Sequence, residues 1–153
     1  MKGILIAGCL LALAGHAAGG IHTEEVEYRQ GSTVLQGYLA YDSSLSGQGV
    51  RPGVLVIHEW TGITDYIRGR VRQLAELGYV AFAADIYGKG VRPEGPEAAG
   101  TEARKYYQDP KLFRERLQAG LDVLVAHELS DDSRIAAIGY CFGGAGVLEL
   151  ARS

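Results

Sequence analysis

Gly139-Tyr140-Cys141-Phe142-Gly143 reads G-x-C-x-G, a nucleophile-elbow pattern with cysteine where serine is commoner. An apolar run, Ile135 to Ile138, precedes it and a helix-like run, Gly144 to Ala151, follows, which is the strand–turn–helix context that the pattern needs. A nucleophile in such a turn takes a strained backbone with positive φ, so its neighbours must be small. The helix start aims backbone N–H groups and a positive dipole end at the sulfur, which favours thiolate. A thiolate can attack an ester or lactone carbonyl without the strong base that serine needs. The competing reading of Cys141 is a small buried hydrophobe at a helix start.

Two further segments supply reactive groups at the ends of expected strands: His58-Glu59-Trp60-Thr61-Gly62 and Asp85-Ile86-Tyr87-Gly88-Lys89. An oxyanion needs two N–H donors. Phe142, directly after the nucleophile, supplies one; the loop after the third strand supplies the other, which points to Trp60 or its neighbour. Glu59 either hydrogen-bonds the thiol or takes its proton, or is salt-bridged to Arg68 or Lys89, or is solvated. His58 precedes Glu59 on one strand, so their side chains point to opposite faces; His58 reads as a packed, loop-ordering residue, and no histidine reads as a partner for Cys141. Asp85 reads as a loop-shaping carboxylate. Lys89 and Arg92 are candidates to hold an anionic substrate, or else are surface charges on a glycine-rich loop. No Cys/His metal spacing, Walker loop or dinucleotide fingerprint is present, so no cofactor is expected.

The elements that must position these groups follow from hydrophobic period and turn chemistry. Val26–Arg29 and Thr33–Tyr41 form an antiparallel hairpin around Gln30-Gly31-Ser32. Val54–Ile57 and Tyr79–Ala84 are apolar runs, as in strands buried on both faces of a parallel sheet. Between them lies a helix capped by Thr64 or Asp65, with Ile67, Val71, Leu74 and Leu77 on one face. Residues 88–100 form a loop or lid, followed by a short helix over 102–107. Asp109-Pro110 opens a long helix with a Leu117, Leu121, Leu124, Val125 stripe, ending near Leu129. Residues 131–134 turn into the last strand. This order predicts an α/β fold: a mostly parallel sheet, helices on both faces, an N-terminal hairpin, and reactive groups at the strands' carboxyl ends.

The chain has 153 residues, enough for one domain with a real core; 47% are apolar and 22% charged. With a net charge of −3 and no basic cluster, nucleic-acid binding and polybasic membrane docking are poorly supported. Lys2, the apolar run Ile4–Leu13 and the small residues up to Ala18 and Gly19 read as a secretory signal peptide over 1–18, too short to span a bilayer, followed by one domain over 19–153. The expected address is periplasmic or secreted. Cleavage removes Cys9 and leaves Cys141 as the sole thiol, which cannot form an internal disulfide.

Val56-Ile57-His58-Glu59-Trp60-Thr61-Gly62, Ala84-Asp85-Ile86-Tyr87-Gly88-Lys89-Gly90 and Gly139-Tyr140-Cys141-Phe142-Gly143-Gly144 together resemble the dienelactone hydrolase family of α/β-hydrolases, from about the hairpin to the last residue. The resemblance implies a Cys-His-Asp triad hydrolysing an enol-lactone or related small esters. It implies that Glu59 contacts the resting thiol and helps to activate it, and that Phe142 and Trp60 are the oxyanion donors. A cation after the D-[LI]-Y segment, here Lys89 with Arg92 nearby, would hold a substrate carboxylate; a lysine there lacks the bidentate fit of arginine. The family's aspartate and histidine would follow Ser153, so the chain is expected to be the N-terminal part of such a domain. Little esterase activity, and self-association through an apolar sheet edge at 135–138, are expected of it. The alternative is a non-catalytic binding or thiol-sensing protein on a hydrolase scaffold.

Overall fold

The computed structural model describes residues 20–153, so the signal segment lies outside the described residues. Five strands form one mixed sheet in the order β1-β2-β4-β3-β5. β1 (Ile21–Gln30) and β2 (Thr33–Asp42) make the antiparallel hairpin, which extends five residues further toward the N-terminus than expected. β2 then pairs antiparallel with β4 (Val80–Ala84), and β4 and β5 (Ser130–Gly139) flank β3 (Arg51–Ile57) in parallel. Parallel neighbours need crossover helices, and these divide between the two faces.

The alternation of side chains along the strands sorts the core into two layers. Val54, Val56, Ala81 and Ala83 pack with Ile67, Val71 and Ala75 of α1 (Asp65–Glu76) on one face. Leu55, Ile57, Phe82 and Ala84 meet Tyr106 of α2 (Gly95–Gln108), Phe113, Leu117 and Leu124 of α3 (Pro110–Ala126) and Phe142 of α4 (Phe142–Leu150) on the other. β3 and β4 are thus buried on both sides, which is why they read as unbroken apolar runs. Truncating a large side chain in this core, such as Phe82, should cost about 3–5 kcal/mol.

Several expectations are corrected. Leu77 is not on the buried face of α1: it lies past the helix end, 74% exposed, and Ala75 takes its place. Val125 is likewise exposed, and Phe113 and Gly120 extend the α3 stripe instead. α2 is a full 14-residue helix that starts inside the supposed loop, with Pro96 in its first turn, where a missing N–H costs nothing. Residues 131–134 are not a turn before β5 but an irregularity inside it: the register against β3 jumps from Asp131 to Ile135 across Pro52/Gly53. Asp109 caps α3 as expected, accepting from Leu112 N–H at 3.0 Å. Among the described residues β5 is an edge strand, and no helix is long and apolar enough to cross a membrane.

Candidate active site

Cys141 has φ +54° and ψ −111°, and among the described residues no other non-glycine has positive φ. It sits between β5 and α4 with its side chain exposed. The flanking glycines are fixed by close approach of backbone. A Cβ on Gly143 would lie 2.2 Å from the Ile57 carbonyl oxygen and 2.7 Å from that of His58; a Cβ on Gly139 would lie 2.0 Å from the Gly143 oxygen. α4 therefore starts directly against the end of β3.

That loop is ordered by its own polar atoms. His58 is fully buried. Its Nε2 accepts from Ile86 N–H at 3.3 Å and its Nδ1–H donates to the Glu59 carbonyl at 2.5 Å. Gly62 N–H donates to the same carbonyl at 3.1 Å. An amide N–H can only donate and a carbonyl can only accept, so one neutral tautomer satisfies both ring nitrogens. Burial pushes the imidazole down to about pKa 4 against the pull of the Glu59 carbonyl and of Asp85. His58 is thus a loop-ordering residue, with no nitrogen left for the sulfur. His127 lies at the far end of α3 beside Tyr41, and His22 lies on β1 next to the same ring.

The third segment is held by Asp85, which is fully buried. Its carboxylate accepts from Tyr87 N–H and Gly88 N–H at 3.1 Å each and from Gln36 N–H at 3.0 Å, with Arg92 Nη1 at 3.7 Å. This satisfies a buried charge and fixes the turn after β4. Tyr87 then reaches across: its hydroxyl donates to the Trp60 carbonyl at 2.8 Å. Its phenol is pushed up by burial first, then by the charges of Glu102, Tyr106, Tyr107 and Cys141, and its ring lies 5.6 Å from that of Phe142 between centroids. Three loops therefore meet through His58–Ile86, Tyr87–Trp60 and Gly143–Ile57.

The structure brings some of the expected residues together and separates others. The Phe142 ring is buried, stacked on Phe113 at 4.8 Å and on His58 at 5.8 Å between centroids. Trp60 is partly exposed, its ring packed over Gly100 of α2. Among the described residues neither Phe142 N–H nor Trp60 N–H donates to a protein acceptor. Glu59 is half-buried and carries no ion pair among the described residues. Both cations proposed as its partners are engaged elsewhere, Arg68 with Glu25 and Lys89 with Glu27. Lys89 points to the hairpin, and its own N–H donates to the Val34 carbonyl on β2, so it is parted from Arg92. Arg92 donates to the Val91 carbonyl and borders an open groove of about 600 Å³ between the post-β4 loop and α2, with Glu94, Glu97, Thr101 and Glu102 on its wall. Tyr87 and Tyr107, which pack on the ring of Phe142 next to the cysteine, are not among the expected site residues. Tyr87 lies inside a segment the sequence singles out, but nothing in its spacing says where a hydroxyl will reach. Tyr107 falls inside the helix expected over 102–107, but the helical period does not say that its ring meets Phe142, 5.4 Å away between centroids.

The model of the dienelactone hydrolase family matches residues 35–153. A solved structure called m3DLH is 40% identical, with a TM-score of 0.82, and the match covers 86% of this chain and 54% of that one. A dienelactone hydrolase-like promiscuous phosphotriesterase, P91, from metagenomic libraries is 41% identical with a TM-score of 0.82, covering 88% and 55%. A putative dienelactone hydrolase from Klebsiella pneumoniae is 25% identical with a TM-score of 0.66, covering 82% and 52%. The chain thus spans about half the length of these solved relatives. No curated protein matches it.

Proposed function

The chain belongs to the dienelactone hydrolase family, and from that premise we propose that it carries the nucleophile and oxyanion half of a hydrolase for small carboxylic esters or lactones. The observation that supports this most is the positive φ at Cys141 in a glycine-framed strand-to-helix turn. In this reading the Cys141 thiolate adds to the carbonyl carbon, and Phe142 N–H and Trp60 N–H receive the developing oxyanion. The C–O bond to the leaving alkoxide breaks as a thioester forms. Glu59 takes the thiol proton before attack and returns it to the alkoxide. Water then cleaves the thioester to release the acid and restore the thiol. Arg92 borders the groove between the post-β4 loop and α2, whose lining does not include Cys141, Glu59 or Trp60; Lys89, turned to Glu27, contributes charge only at a distance. The expected export of the chain and self-association through the β5 edge belong to the same proposal; size-exclusion chromatography with light scattering on the purified chain tests the latter.

The test is a stoichiometric burst with p-nitrophenyl acetate followed by intact mass. Wild type should gain one acetyl group on Cys141, and Cys141→Ala should gain none. An activated phosphotriester belongs in the same assay, because the 41% identical relative is called a promiscuous phosphotriesterase. A folded chain with no acyl adduct on Cys141 would defeat the reading.

A further inference from the structure

Resting on that reading, we propose that His58 is the positioning residue of the oxyanion hole: it holds the Glu59–Trp60 peptide so that the Trp60 N–H faces the cleft. The peptides of the described residues are all trans, so a carbonyl and the N–H of the next residue point opposite ways. The Glu59 carbonyl is drawn inward by His58 Nδ1–H at 2.5 Å and by Gly62 N–H at 3.1 Å. The Trp60 N–H on the same peptide plane must then point away from the buried imidazole, toward the open side of the loop. The next peptide is clamped too, since Tyr87 holds the Trp60 carbonyl at 2.8 Å. The imidazole is itself fixed, because Ile86 N–H occupies its Nε2 at 3.3 Å, and it stacks at 18° on the ring of Phe142, whose N–H is the other donor. One neutral ring thus sets the Trp60 donor before substrate arrives and packs on the side chain of the residue that supplies the other; such preorganisation is where these donors gain their strength.

The test separates this role from general packing by comparing two reactions of Cys141 on the full chain. Acylation by p-nitrophenyl acetate creates an oxyanion; alkylation by iodoacetamide does not. Both are followed by mass spectrometry of the Cys141 peptide. His58→Gln places its amide near the Nε2 position and leaves the Glu59 carbonyl to Gly62 alone; its acylation rate should fall about a hundredfold, the scale of losing one oxyanion donor, with alkylation unchanged within about twofold. His58→Asn places an N–H near the Nδ1 position and should restore most of the acylation. Acylation at the wild-type rate in His58→Gln, or equal loss of both reactions, overturns the positioning role. A wild type that alkylates but never acylates overturns the hydrolase reading, which is a distinct result. Should the variants not fold, ¹⁵N–¹H spectra of wild-type His58 decide. The Nδ1–H tautomer is expected from pH 6 to 8, and an Nε2–H tautomer overturns the proposal.

Discussion

The two ends of the parallel strands are built from similar residues to different effect. Each end holds a histidine whose pKa burial lowers, His58 at the carboxyl end of β3 and His127 before β5. Each also holds a buried charged group, Asp85 or Arg51. At the carboxyl end Asp85 takes three amide bonds and both ring nitrogens of His58 are bonded, whereas Arg116, tied to Thr33 Oγ1 through Nη2, leaves its Nε and Nη1 without a partner among the described residues. At the amino end Arg51 donates one Nη1 bond to the Asp42 carbonyl at 2.8 Å, while its Nε and Nη2 and the nearby Ser130 Oγ have no partner among the described residues. The loops that frame the exposed nucleophile are over-determined through Asp85 and His58; the two buried arginines, Arg51 at one end and Arg116 at the other, are each only partly bonded. Over-determination is what permits a residue to sit at φ +54°.

The largest expected effect strikes that over-determination. Gly143→Ala forces a Cβ to 2.2 Å from the Ile57 carbonyl oxygen, and backbone cannot yield as a side chain can. We expect a loss of about 3 kcal/mol or more, or no folded product. Gly144→Ala, one residue on, meets only the Gly139 oxygen at 3.8 Å and has no positive φ; it should be neutral, or gain up to about 1 kcal/mol from helix propensity. Urea melts of the pair measure the contrast. Equal stability of the two variants would mean that α4 does not pack on β3 as described.

Next in size is a pH effect confined to one end. The unfolded chain binds a proton at a histidine near pH 6.5, whereas folded His58 resists until about pH 4. Between those values the unfolded state holds more protons, so stability rises with pH through this window. It is undiminished above pH 6.5, and roughly 3 kcal/mol is lost on going below pH 4. His58→Asn should flatten the curve of melting temperature between pH 4 and 6.5. His127→Asn should change it far less, because that ring is only half-buried and Glu128 and Glu24 oppose the burial effect. A pH profile insensitive to His58→Asn would contradict the burial of that ring.

How much of this was legible follows the same division. The strands β3 and β4, the α3 cap and the elbow could be read because each is written locally, in an apolar run, an Asp-Pro pair or a glycine frame. So could the tasks of Asp85 and His58 in general terms, since a polar residue ending a buried strand must find backbone partners. The partners could not be read. Whether Lys89 faced the cleft or Glu27 depended on where the hairpin lies across the sheet, and whether Tyr87 met Trp60 depended on two loops far apart in sequence. The misread helix positions, Leu77 and Val125, are apolar residues at the edge of a stripe, where one residue's error in the helix end or 100° of rotation decides exposure.

A smaller effect concerns charge around the cysteine. Three cations around the groove are paired: Arg92 with Asp85 at 3.7 Å, Lys105 with Glu102 at 2.5 Å, and Lys89 with Glu27. Glu94 and Glu97 on the groove wall have no ion pair among the described residues, so that wall carries surplus negative charge, while Arg70, bonded to the Tyr140 hydroxyl beside the cysteine, has no carboxylate partner among them. Thiol reagents of matched shape and opposite charge should report it. A trimethylammonium-ethyl thiosulfonate should modify Cys141 faster than the sulfonatoethyl analogue, by about fivefold relative to free cysteine, and the ratio should shrink in 0.5 M salt. A ratio favouring the anionic reagent would return Lys89 or Arg92 to the role of a free anion anchor.

The smallest expected effect tests the other end. Arg51→Met keeps the apolar stem, which lies against the Tyr41 ring with the guanidinium carbon 5.8 Å from its centroid, and removes a charge whose Nε and Nη2 are buried without partners. What is lost is one hydrogen bond to the Asp42 carbonyl, which is half-buried at the end of β2 and within reach of water. A charge-assisted bond of this kind contributes about 1.5–3 kcal/mol. The desolvation of the unpartnered nitrogens offsets most of it, as in other buried ionic groups replaced by apolar side chains. The net change should stay within about 1 kcal/mol of zero. Asp85→Leu, the matching exchange of a buried charge for an apolar side chain at the carboxyl end, should cost several kcal/mol, because it leaves three amide donors and Arg92 without their acceptor. A drop above about 3 kcal/mol for Arg51→Met would mean that water completes the arginine's bonds, and that the amino end is as fully specified as the end that bears the cysteine.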